Sequence, residues 1–212
     1  MANRDRHLSW AALALLALVA FACGGVPHTN FYTVDFTPRA GGSASPEGSQ
    51  LGVARPRASH LLRQDRIVYF TNENELNFYQ YHRWAEPPVF MVQSLLIRQV
   101  RAAGLFDTVV PYRAQKNLDY LLQGRLLAME EVDTPTAITA RFALELELVR
   151  QEDARVVWTG RHACERSVGS KTVGAVVVAV SGCVQETLDE LAVSLQSIAP
   201  QLKRQSEDGT SR

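Results

Sequence analysis

The sequence predicts an α+β domain in which an antiparallel sheet carries two amphipathic helices on one face. Three observations lead there. Residues 138–149 alternate, with Phe142, Leu144, Leu146 and Leu148 on one side and Arg141, Glu145 and Glu147 on the other. That is the pattern of a strand with one buried and one wet face. Val89, Val92, Leu96, Val100 and Ala103 recur every three or four residues. So do Val173, Val176, Val177, Val180, Val184, Leu188, Leu191, Leu195 and Ile198. These spacings put apolar stripes on two helices. No internal repeat divides the chain.

The chain opens on a short charged start, Arg4, Asp5 and Arg6, and an apolar run over residues 8–22. The run has the length of a secretory signal core. It is shorter than the roughly 20 residues needed to cross a bilayer, and Gly24, Gly25 and Pro27 follow at once. It ends at Cys23 after Ala20, Phe21 and Ala22. Small residues before a cysteine suggest a bacterial lipobox; Ala22 fits, Ala20 is smaller and Phe21 larger than usual. Ordinary secretory cleavage near Cys23 and an uncleaved anchor are the other two readings. The expectation is a signal peptide over 1–22 and a lipid on Cys23. Each buried CH₂ contributes ~0.8 kcal/mol, so two or three acyl chains make attachment effectively permanent. Gly24, in place of an aspartate, favours the periplasmic face of the outer membrane by analogy with enteric sorting.

After a tether over 23–30, residues 31–36 (FYTVDF) read as a first strand, being aromatic and β-branched. Residues 37–50 are small and polar and read as a flexible loop. Strands follow at 51–55 and 67–70, with one helical turn at 58–63 between them. Residues 75–82 pair with 67–70 through a turn at 72–74. Pro87 and Pro88 open a helix that runs to Ala103, with Gly104 as its cap. Residues 106–110 form a strand. Residues 119–129, 138–149 and 156–162 form an antiparallel meander, with 151–154 as a hairpin loop. Glu130, Glu131 and Asp133, before Thr134 and Pro135, read as a solvated turn. The last helix starts near Ser170; its valine-rich first part also suits a strand, but continuous periodicity selects helix. The domain is expected over 31–200, and 201–212 as a disordered polar tail.

The chain has 22 basic and 22 acidic side chains. Removing residues 1–22 leaves 190 residues, with 20 basic and 21 acidic. That is enough for one domain with a sizeable core. It provides no basic field for nucleic acid and no polybasic stretch for anionic lipid. With Cys23 carrying lipid, Cys164 and Cys183 remain as an even pair in an oxidising compartment. A disulfide between them and two separate buried thiols both stay open. Enzyme motifs are absent: no H-E-x-x-H, G-x-S-x-G or G-x-G-x-x-G occurs. Residues 169–172 (GSKT) lack the glycine directly before lysine that a phosphate loop needs. No two of the five histidines lie three or four residues apart, so no local metal pair exists. No catalytic residue, metal ligand or cofactor is assigned, apart from the lipid on Cys23. Arg83 and Trp84 are the most distinctive internal pair. Trp84 either packs beneath the first helix while Arg83 meets an acid, or the two form an exposed partner contact.

Several pieces together resemble the ABC-type transport auxiliary lipoproteins, a family that includes the PqiC-like subunits of membrane-integrity transporters. They are Phe31-Tyr32-Thr33-Val34 soon after the cysteine, Leu51-Gly52-Val53, and His82-Arg83-Trp84-Ala85-Glu86-Pro87 before a helix. Asp119-Tyr120, Leu122 and Gly124 in one strand, Val157-Trp158 in another and a terminal amphipathic helix complete the set. The resemblance covers roughly 23–199. It implies a non-enzymatic accessory subunit at the inner face of the outer membrane, working with an MCE-domain protein and an ABC permease and ATPase to move lipids. Homo-oligomerisation is left open. A different envelope-assembly lipoprotein, serving lipopolysaccharide or protein insertion, is the alternative, and a periplasmic hydrolase a third.

Overall fold

The computed structural model describes residues 27–41, 49–72, 74–114 and 117–202. In chain order its elements are β1 (Asn30–Tyr32), β2 (Gln50–Val53), β3 (Arg57–Ala58), a 3₁₀ turn at Leu61–Arg63, β4 (Arg66–Thr71) and β5 (Leu76–Trp84). Then come α1 (Pro88–Ala103), β6 (Thr108–Pro111), β7 (Tyr120–Asp133), β8 (Ile138–Arg150), β9 (Arg155–Ser167) and α2 (Val173–Ser197). The expected α+β architecture, with two helices on one face of the sheet, is the observed one.

The sheet is built on β7. Along one edge β7 pairs antiparallel with β8 from Tyr120↔Arg150 to Asp133↔Ile138, and β8 pairs antiparallel with β9. The other edge of β7 is divided among three short strands, all parallel to it. These are β2 at Leu51↔Tyr120, β3 at Arg57↔Arg125 and β4 at Tyr69↔Glu131. Beyond them β6 joins β2 in parallel, β5 joins β4 antiparallel and β1 joins β5 in parallel. The α+β class holds, but the sheet is mixed where the sequence suggested an antiparallel one: antiparallel where tight hairpins connect neighbours, parallel where a longer excursion returns the chain. At Gly124 the β7 and β8 backbones approach so closely that a Cβ would overlap the Glu145 carbonyl oxygen.

Local chemistry sets the helix ends. Pro88 occupies the first helical position of α1, where its missing N–H is no loss. Gly104 closes the helix in the left-handed region at φ 65°, a conformation disfavoured for residues with a Cβ. The Thr172 hydroxyl caps α2 by accepting from the Ala175 N–H. α2 lies over β8 and β9, α1 over β2 and β6, and the helices touch each other. All five stripe residues of α1 are buried, as are Leu188, Leu191 and Leu195 of α2, in one hydrophobic cluster.

Four expectations need correction. The first strand ends at Tyr32, and residues 33–41 continue as an extended strap across the helices. Val34 and Phe36 are buried on it. The Gln185 amide brackets Thr37, accepting from its N–H and donating to its carbonyl at 2.9 Å each. Gln99 does the same for Arg39 at 3.0 and 3.1 Å. Residues 37–41 are thus held rather than free, because two side-chain amides supply the partners a sheet neighbour would; residues 42–48 lie outside the described set. Second, β7 runs through Glu130–Asp133 instead of turning, since β8 pairs with it to Asp133. Third, β9 extends to Ser167, where the ladder with β8 continues to Thr139. Fourth, a further helical turn covers 199–202 and buries Leu202 in the core; residues 203–212 are outside the described set.

Candidate functional site

The Arg83-Trp84 stretch is a junction. Residues 82–84 of β5 take up β1 in the register Asn30↔His82, Phe31↔Arg83 and Tyr32↔Trp84. The Ala85 N–H donates to the Tyr32 carbonyl at 2.7 Å, and the Trp84 N–H donates to the Asp65 carbonyl at 2.7 Å. The Arg83 guanidinium donates to both Asp65 carboxylate oxygens at 2.9 and 3.2 Å. The Tyr32 hydroxyl lies 2.8 Å from His82 Nδ1, with the two rings stacked. α1 begins four residues after Trp84. This stretch therefore fastens β1, the first strand among the described residues, to the β4–β5 hairpin and to the start of a core helix.

That arrangement decides between the two readings of the pair. Trp84 is 1% exposed, a core side chain, and Arg83 is held by Asp65. An exposed Trp84 contact for a partner is therefore corrected: the indole fills volume beside α1 and presents no surface. Its Nε1–H finds no acceptor among the described residues.

Beside the junction lies a half-buried aromatic cluster. The rings of Tyr69 and Tyr79 sit 4.7 Å apart, and Tyr79 meets His82 edge-on at 5.9 Å. The Tyr79 hydroxyl donates to Glu131 Oε2 at 2.7 Å. Glu131 is only 3% exposed. Burial pushes its carboxyl pKa up, against the Tyr79 hydrogen bond that favours the anion. Burial, followed by the Glu131 partner, likewise pushes the Tyr79 phenol up. A phenol raised in this way is a poor base or nucleophile at neutral pH, and the carboxylate is sealed beneath it. The pair closes the rim of the core. Sequence alternation could not reveal Glu131, because a bulge between Leu126 and Ala128 resets which residues of β7 face inward.

A disulfide joins Cys164 of β9 to Cys183 of α2. Next to it Arg166 donates to Glu186 at 2.9 Å and lies over Gly182, so the guanidinium occupies the space a side chain there would take. His162 Nδ1 is 3.3 Å from Glu190. Among the described residues no three His, Cys, Asp or Glu side chains gather as metal ligands, and no helix is long and apolar enough to cross a membrane. Cys23 lies outside the described residues, and so does the apolar run before it.

The fold is shared with solved structures. A Xanthomonas campestris protein of the DUF330 family superposes with a TM-score of 0.73 at 22% identity, over 84% of this chain and 99% of its own. A second crystal structure, of an uncharacterised protein, matches with a TM-score of 0.62 at 12% identity, over 80% of this chain and 99% of that one. No curated protein gives a significant match. The model of the ABC-type transport auxiliary lipoprotein component family matches residues 32–192, from β1 to the last turns of α2. The chain belongs to the ABC-type transport auxiliary lipoprotein component family.

Proposed function

We propose that this chain is a non-enzymatic auxiliary subunit of an MCE/ABC-type lipid transport system. It is held by a lipid on Cys23 at the periplasmic face of the outer membrane. The observation that carries the reading is the family match over almost the whole folded domain, beginning nine residues after Cys23. Asn30, where β1 starts, is seven positions on from Cys23; fully extended, those seven steps reach at most about 25 Å. A lipid on Cys23 keeps the domain within that distance of the membrane, and the force enters the fold through β1 and the Arg83-Trp84 junction. The subunit contributes position and contact to the permease, ATPase and MCE protein, which supply the energy and the lipid path.

The test is substitution Cys23→Ala with fractionation of the envelope. The expected result is release of the protein from outer-membrane fractions and loss of globomycin-sensitive processing. In parallel, detergent extracts of the unmodified protein are expected to co-purify an MCE-domain protein with the permease and ATPase. A Cys23→Ala protein that stays in the outer membrane removes the anchoring claim; extracts that lack any MCE or ABC partner remove the transport claim.

A further inference from the structure

The face of the sheet turned away from the helices carries two rows of charge in cross-strand register, and they behave differently. In one row Glu130 of β7, Arg141 of β8 and Glu165 of β9 stand side by side. Arg141 pairs with both acids, at 3.7 and 3.0 Å. In the other row Arg57 of β3, Arg125 of β7, Glu145 of β8 and Arg161 of β9 stand side by side across four strands. There the order is reversed, and no ion pair joins the row among the described residues, although Glu145 stands between two arginines. The nearby Glu147 is engaged by the Gln123 amide at 2.7 Å.

The unpaired row borders a recess of about 480 Å³. Its floor is strand backbone at Gly124, Leu146 and Gly160, and its walls are Arg57, Arg125, Arg161, Glu145, Glu147 and Thr159. Neighbouring strands lie about 4.8 Å apart, so the whole row spans roughly 14 Å. Arg57 and Arg125 are direct cross-strand neighbours, and like charges so placed destabilise a sheet. Arg83, Arg141, Arg150 and Arg166 each meet an acid; Arg57, Arg125 and Arg161 border the recess instead.

We propose that this recess is an anion site that takes a phosphate group through Arg57, Arg125 and Arg161. Guanidinium forks match phosphate oxygens in charge and geometry. Bound phosphate relieves the repulsion between Arg57 and Arg125. Glu145 sets a limit on affinity, since its carboxylate repels the ligand. The chemistry is shared by a phospholipid headgroup and a free phosphate ester. The site rests on its own geometry and does not depend on the transport reading.

The experiment is isothermal titration of the full chain, purified in a non-ionic detergent, at low salt. The probes are inorganic phosphate, glycerol 3-phosphate, and dihexanoyl-phosphatidylglycerol below its micelle concentration. Saturable binding is expected, weakened about 10- to 100-fold in Arg125→Gln/Arg161→Gln, as for loss of charged hydrogen bonds. Glu145→Gln is expected to tighten binding severalfold, a gain that misfolding does not produce. Arg141→Gln, in the paired row of the same face, is expected to leave it unchanged. Tighter binding of the short-chain lipid than of glycerol 3-phosphate assigns the site to headgroups; the reverse order assigns it to soluble phosphate esters. Absence of saturable binding by all three probes overturns the proposal. So does equal binding by the wild-type and double-arginine proteins.

Discussion

Trp84 offers a clean separation of packing from contact. The side chain is 1% exposed and sits in the hydrophobic core cluster. Truncation by Trp84→Ala leaves a large cavity beside α1 and is expected to cost about 3–5 kcal/mol. Against a typical domain stability of roughly 5–15 kcal/mol, that is a large loss. Trp84→Phe is different. It keeps most of the ring volume and deletes an indole N–H that has no acceptor among the described residues. Relief of a buried, unpartnered donor returns about 1–3 kcal/mol, comparable to the area lost. The phenylalanine variant is therefore expected within ~1 kcal/mol of wild type. Guanidinium unfolding followed by far-ultraviolet circular dichroism, compared at unchanged m, reads both numbers. Two results would refute the reasoning. An equal penalty for Phe and Ala means that the N–H is satisfied in the folded protein. An unchanged midpoint for Trp84→Ala, with loss of partner co-purification, means that the indole works as a contact after all.

Two further perturbations test the remaining packing claims. The Cys164–Cys183 bridge closes a loop with a sequence separation of 19, so its reduction is expected to lower stability by about 3 kcal/mol in the loop-entropy picture. The check is the unfolding midpoint with and without reductant; no shift removes the bridge from the fold's energetics. Glu131 gives a pH signature. Its folded-state pKa is raised above the ordinary 4.5, with burial as the chief cause, so the folded protein holds the proton more tightly than the unfolded chain does. The stability this group contributes is full below the ordinary carboxylate range and is lost as pH rises through the raised folded value. Glu131→Gln, which keeps an oxygen for the Tyr79 hydroxyl, is thus expected to melt higher than wild type at pH 7. The gap is expected to close below about pH 4. A constant gap, or a lower melting point at neutral pH, contradicts the burial argument.

Sequence legibility followed the range of the forces involved. α1 was readable to the residue because its signals are local: two prolines at the start, a 3–4 apolar spacing, and a glycine whose φ of 65° ends the helix. β8 was readable because alternation needs only one buried face. The strap over 33–41 was not, because its partners, Gln99 and Gln185, lie 60 and 148 residues away from the backbone they hold. The inward turn of Glu131 is hidden for a related reason: the bulge that turns it inward is a property of the β7–β8 ladder.

The sequence alone determined the α+β composition, the two helix stripes, the junction motif at residues 82–87 and the family to which these pieces point. Each is encoded in short-range periodicity, turn chemistry or a contiguous motif. Only the tertiary structure decided that Trp84 faces the core, that three short strands share one edge of β7, and that Arg57, Arg125 and Arg161 stand in one unpaired row. Register and strand order arise from contacts between distant segments. A one-residue change in register moves a side chain to the opposite face, so the chemistry of that outer face follows from pairing and not from spacing along the chain.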